Sequence, residues 1–254
     1  TTTHAAQGTL GQNGWFVASP VLVTLQAADT MSGVGETKYR LDGELPWRTW
    51  TGTPIVVSGE GRHTLEYYSV DNAGNREEPP RTGRIDIDLT PPAMPSLPQP
   101  SPVGWSNRNN FTVSWVNPRD TSGVVGAYYK LDEEPQSKDD YTDSCISTRT
   151  VTQCTGIQVS EGKHGIYIWL VDKAGNADYT TYRYRPNFFL YDAHPPQTQA
   201  TVSAVAQGLW YRSPVTITFQ ATDPVPPRVN EVSGVNVTSY SVGCGVTWQA
   251  GNQV

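Results

Sequence analysis

Apolar and polar positions alternate along much of this chain with a period of two. Val21, Val23, Leu25 and Ala27 fall on one face and Leu22, Thr24 and Gln26 on the other, the pattern of a half-buried β-strand. Phe111, Val113 and Trp115 keep that alternation, as do Val215, Ile217 and Phe219, and again Leu65, Tyr67 and Ser69. Clusters of Gly, Pro, Asn and Asp punctuate these runs. The spacing predicts about seven short strands in each stretch of roughly 90–110 residues, which suits two antiparallel sheets packed face to face.

The alternating segments recur in a larger repeat. Trp15, Ser19-Pro20-Val21, Asp29, Ser32-Gly33-Val34 and Tyr39 are answered by Trp105, Phe111-Thr112-Val113, Asp120, Ser122-Gly123-Val124 and Tyr129. Trp210, Ser213-Pro214-Val215, Asp223, Ser233-Gly234-Val235 and Tyr240 answer a third time, with six residues from Gly to Tyr in every copy. Downstream, Glu60-Gly61-Arg62-His63 and Asp71-Asn72-Ala73-Gly74-Asn75 return 101 residues later as Glu161-Gly162-Lys163-His164 and Asp172-Lys173-Ala174-Gly175-Asn176. Two units end in a double proline, Asp88-Leu89-Thr90-Pro91-Pro92 and Asp192-Ala193-His194-Pro195-Pro196, which stiffens the chain and reads as a linker. The expected organisation is therefore all-β, with tandem immunoglobulin-like β-sandwiches at 1–90, 91–194 and 195–254. The third, which reaches Val254 without an Asp-x-Ala-Gly-Asn segment, reads as incomplete: either the chain continues, or another chain donates the missing strands.

Composition narrows the function. Among 254 residues are 20 Pro, 23 Gly, 13 Tyr and 8 Trp, but only 2 Met, which leaves little material for long helices. Asp and Glu total 24 against 18 Lys and Arg, so a nucleic-acid partner is disfavoured and cations mildly favoured. No apolar run is long enough to span a bilayer, and no leader opens the chain, so no membrane insertion is expected in this segment, which reads as an excerpt of a longer array. Cys145 and Cys154 lie nine residues apart in one polar loop, a spacing that can close a disulfide in an oxidising compartment. Cys244 reads as a small buried thiol or as one half of a pair completed beyond Val254.

The set Asp29, Ser32-Gly33-Val34, Tyr39-x-Leu41-Asp42-Gly43, Trp47, Glu60-Gly61-x-His63 and Asp71-Asn72-Ala73-Gly74-Asn75 resembles the bacterial Ig-like (Big-type) tandem repeats of large surface and secreted proteins. The resemblance covers essentially the whole chain. It implies an extracellular, non-catalytic structural module, a stalk or a filament-forming array, or else an adhesin or carbohydrate-binding accessory module. Its partners would be adjacent repeats, other copies of the same chain, or surface glycans. Arrays of this kind include calcium-rigidified ones.

In a sandwich of this type Asp29, ending the second strand, and Asp71, ending the sixth, fall at one pole. Asp120 and Asp172 of the second unit should then face the linker that carries Asp88, and Asp223 of the third should face Asp192. Grouped carboxylates and loop carbonyls could supply the six to eight oxygens that calcium takes. The alternative is that these aspartates hold turn amides without any ion. No other cofactor is expected. The four His residues do not group: His63 and His164 take equivalent places before a strand, and His4 and His194 lie near linkers. No nucleophile elbow occurs, and the Gly residues of Ser-Gly-Val and Ala-Gly-Asn are expected at positive φ in turns. Asp139-Asp140-Tyr141-Thr142-Asp143 lacks the Gly and terminal Glu of an EF-hand and reads as a solvated loop, and the Trp residues, which could form a sugar-stacking platform, mostly read as packing.

Overall fold

A computed structural model describes residues 1–203, 208, 210, 211, 213–226, 229, 231–242 and 249–251. By contact the chain forms two compact units: Thr1–Pro98 with Trp115–Gln153 and Tyr167–Tyr184, and Gln99–Ser114 with Cys154–Ile166 and Arg185–Val254. That is a division by contact, distinct from the sequence repeats, and the second repeat contributes to both units.

The first repeat is built from seven strands: β1 (Thr2–Gln7), β2 (Val21–Ala27), β3 (Val34–Leu41), β4 (Arg48–Thr49), β5 (Ile55–Val57), β6 (Gly61–Asp71) and β7 (Arg81–Ile87). One sheet runs β1-β2-β5 and the other β4-β3-β6-β7. The pairings are antiparallel, with His4 opposite Leu25, Tyr39 opposite Tyr67 and Leu65 opposite Gly83. The period-two pattern dictates the inner faces, since Val21, Val23, Leu65, Ile85 and Ile87 are all buried and pack with Phe16, Leu25, Ile55, Val57 and Tyr67. A Cβ on Gly83 would lie 2.6 Å from the His4 ring, whose Nδ1 is 2.9 Å from the Tyr67 hydroxyl. The absent side chain thus lets the two sheets approach at that point.

A buried polar link ties β1 to the opposite sheet. The Thr2 amide (2.8 Å), the Thr2 hydroxyl (2.6 Å) and the Ser69 amide (3.0 Å) all donate to the Glu77 carboxylate. Burial raises the Glu77 pKa, but the Thr2 and Ser69 donors outweigh it and hold the carboxyl below its usual range. Replacing Glu77 by Ala strands these donors and should cost about 1–3 kcal/mol, read as a lower midpoint in urea.

The second repeat contributes β8 (Gln99–Ser101), β9 (Trp105–Ser106), β10 (Phe111–Ser114), β11 (Val124–Leu131), β12 (Asp143–Ile146), β13 (Gln153–Ile157), β14 (Gly162–Asp172) and β15 (Arg183–Tyr191). They form sheets ordered β13-β10-β8 and β12-β11-β14-β15-β9. Phe111 and Val113 share one face of β10 and are both fully buried, and the Phe111 ring centre lies 5.0 Å from that of Phe189. A slip of one residue would turn both side chains to the opposite face, so this burial pins the register. A parallel pairing of Leu190 with Trp105 closes the second repeat as the Phe16–Ile87 bridge closes the first. In the third repeat β16 (Gln197–Val202) pairs antiparallel with β17 (Ile217–Thr222), and β18 (Ser239–Tyr240) with β19 (Gln249–Ala250). Cys145 and Cys154 are both disulfide-bonded; Cys244 lies outside the described residues. Among the described residues no helix is long and apolar enough to cross a membrane.

Candidate metal centre

The Ser-Gly-Val turn shapes each pole in the same way. Gly33, Gly123 and Gly234 sit at φ of 78°, 93° and 78°, a region that favours glycine, and their amides donate to Asp29 (2.9 Å), Asp120 (2.7 Å) and Asp223 (2.7 Å). The Asp-x-Ala-Gly-Asn loop is equally constant. Asn75 donates its amide and its side chain to Asp71, both at 2.8 Å, and Asn176 does the same to Asp172 at 2.8 and 2.9 Å.

Where the first repeat meets the second, the linker brings a third carboxylate to this frame. The Ser122 amide donates to Asp88 at 2.9 Å, and the Asn176 side chain donates to the Asp88 carbonyl at 3.1 Å. A turn of the first repeat seals the other side, with the Gln12 amide donating to the Ala174 carbonyl (2.7 Å) and the Asn13 side chain to the Lys173 carbonyl (2.8 Å). One carboxylate oxygen from each of Asp88, Asp120 and Asp172 then lies within 4.8 Å of the others, and Asp88 and Asp172 are wholly buried.

Such an arrangement is costly as it stands, because like charges repel and buried charge is poorly solvated. No Lys, Arg or His forms an ion pair with these three groups among the described residues. Burial drives the Asp172 pKa up to about 6, against the pull of Asn176 and with the charges of Asp88 and Asp120 adding to the rise. Burial likewise raises Asp120, with the Asp88 charge adding to it. At the first pole the counterparts move the other way: the Met31 amide lowers Asp29, and the Asn75 side chain lowers Asp71. Identical local turns therefore give opposite shifts, and the difference is the third carboxylate and the burial it brings. The chemistry fits a hard divalent cation, since the donors are all oxygens and each carboxylate oxygen keeps lone-pair capacity beyond its hydrogen bond.

The structure does not gather all seven aspartates. Asp29 and Asp71 line one hollow with Glu77, but among the described residues no close group of three carboxylates forms there. Asp192 is 6% exposed and accepts from the Ser233 amide at 2.8 Å, repeating the Asp88–Ser122 bond, while Asp223 Oδ1 is buried without a hydrogen-bond partner. Burial raises Asp192, yet the Ser233 and His194 donors outweigh it and leave the carboxyl below its usual value. Asp192 also groups with Glu161 and His194, whose Nδ1 lies 2.8 Å from Glu161. Sequence reasoning missed Glu161, although its counterpart Glu60 holds the Leu89 amide at 2.7 Å and the Glu-Gly-x-His repeat marked both positions.

The remaining candidates have local partners. His63 and His164 lie inside strands rather than before them, His63 beside Asp42 at 2.8 Å and His164 beside the Ser160 carbonyl at 2.9 Å. Asp140 accepts from Lys130 at 2.8 Å, and Asp139 pairs with Lys138. Trp15, Trp115 and Trp169 are buried, and Trp47 packs its ring against Tyr68.

No family model matches the sequence, and no curated protein matches it. Among solved structures the chain is similar to the fibronectin(III)-like modules of Clostridium thermocellum CbhA, with 14% identity, a TM-score of 0.34, and 75% of this chain and 95% of that one covered. It is similar to a two-domain fibronectin type-III segment of chicken tenascin, with 11% identity, a TM-score of 0.28, and 72% and 97% covered. A Ca2+-stabilized adhesin that helps an Antarctic bacterium reach out and bind ice is similar at 14% identity and a TM-score of 0.29, with 82% of this chain and 53% of that one covered. These are likenesses of tandem all-β modules.

Proposed function

We propose that this chain is a non-catalytic structural segment of an extracellular repeat array, in which a divalent cation, calcium by its oxygen donors, locks the joint between the first and second repeats. The observation that carries the reading is the buried Asp88–Asp120–Asp172 group, made by one residue of the linker and two of the following repeat. Neutralising it with a cation turns a repulsive cluster into a cross-link between successive repeats. The disulfide-bonded Cys145 and Cys154 support an oxidising, extracellular setting.

Calorimetric titration of the chelator-treated chain with calcium tests the reading. Saturable binding with a Kd of roughly 10⁻⁶–10⁻³ M is expected, with the heat reduced in Asp88→Asn. The same titration should protect the exposed linker residues Met94 and Leu97 from limited proteolysis. Absence of both heat and protection would remove calcium from the account.

A further inference from the structure

The same residues are covered at one pole and bare at another. At the second repeat Ser122, Val124, Asp172 and Ala174 are 9%, 4%, 0% and 1% exposed, beneath the Asp88 linker and the Gln12–Asn13 turn. At the first repeat the counterparts are more open: Val34 is 38% exposed, Ala73 is exposed, and Ser32 and Asp71 are half-buried. The frame beneath is already formed. The Asn72 amide donates to the Gly33 carbonyl at 3.0 Å as the Lys173 amide does to the Gly123 carbonyl at 2.9 Å, and the bonds of Asn75 to Asp71 reproduce those of Asn176 to Asp172. A hollow of about 190 Å³ opens between Asp29, Val34, Asp71 and Asn75.

We propose that this first pole is an interaction surface for the tail of a like repeat, a strand running out into Asp-x-x-Pro-Pro. Its carboxylate takes the place beside Asp29 and Asp71 that Asp88 takes beside Asp120 and Asp172. The Ser32 amide is directed to Asp29 as the Ser122 amide is to Asp120, and would share itself with the incoming carboxylate as the Ser122 amide does with Asp88. The Asn75 side chain, with one hydrogen on Asp71, has a second for the tail carbonyl, as Asn176 has for that of Asp88. Asp29, Asp71 and Glu77 outnumber Arg76 on the wall of this hollow, so an acidic tail joins them only with a further counter-charge, and the proposal rests on the cation reading above.

The test uses the full chain, labelled with nitrogen-15, and a synthetic peptide of residues 81–94 in millimolar calcium. Saturable amide shifts are expected at Ser32, Gly33 and Asn75, weakened at least fivefold when the peptide carries Asp88→Asn. Calcium-dependent shifts at Ser122, Gly123 and Asn176 in the same sample report on the cation reading independently. If those appear while the first pole stays silent at millimolar peptide, or the peptide moves a different surface, the docking proposal is overturned. If those fail to appear, the cation reading falls, and the docking, which needs the same counter-charge, falls with it.

Discussion

Millimolar calcium should raise the melting temperature of the chelator-treated chain by several degrees, and Asp120→Asn should abolish most of that rise. A ligand at about a hundred times its Kd adds about 2.7 kcal/mol to the state it binds, provided the unfolded chain does not bind it. Each kcal/mol is worth roughly 2–4 °C in a unit of 150–250 residues. Asp120 is the informative position because its Oδ1 accepts the Gly123 amide, a bond that the Asn carbonyl can keep. The substitution removes charge and leaves the turn. Without calcium it should therefore leave the chain as stable as before or more so, since one repelling carboxylate is gone, while the calcium increment shrinks. Loss of stability in both conditions would instead mark Asp120 as a turn residue alone.

Without calcium, the chain should become more stable as pH falls from 7.5 towards 5. Asp172 has a folded pKa of about 6, above its ordinary value of 3.8, so between those values the folded chain holds a proton that the unfolded chain has lost. The stabilisation is full below about pH 4 and is lost as pH rises through 6. A rise of that size corresponds to about 3 kcal/mol. Burial raises Asp120 beside it as well, so the step is shared by the two raised groups. The depressed groups Asp29, Asp71 and Asp192 lose their contributions only at lower pH, outside this window. Saturating calcium should reverse the slope, because protons then compete with the cation. Chelated samples that weaken on acidification from pH 7.5 to 5 would contradict the burial argument for Asp172.

Much of this was legible in the residues. Alternation at Val21, Val23 and Leu25 placed the inner face of β2, and the recurrence of Ser-Gly-Val placed the turn glycines at positive φ. Equivalent positions also pointed to Asp120 and Asp172 facing Asp88, because a repeat fixes where the next domain enters. What the letters could not convey was burial. Asp29 and Asp120 carry the same local motif, yet one is lowered by turn amides and the other raised by desolvation, a difference made by the linker residue Asp88 and by the packing of Gln12 and Asn13. Glu60 and Glu161 escaped for a related reason: their roles, holding the backbone of the linker that leaves the domain, exist only once the strand end and the linker are folded together.

Asp88 directly follows β7, its amide donates to the Phe16 carbonyl at 2.9 Å, and its carboxylate and carbonyl are both held by the second repeat. One residue is thus gripped from both sides. On the proposed cation reading, tension passing from one repeat to the next runs through this single residue, and the joint would act as a mechanical fuse whose breaking load follows the ionic composition of the surroundings.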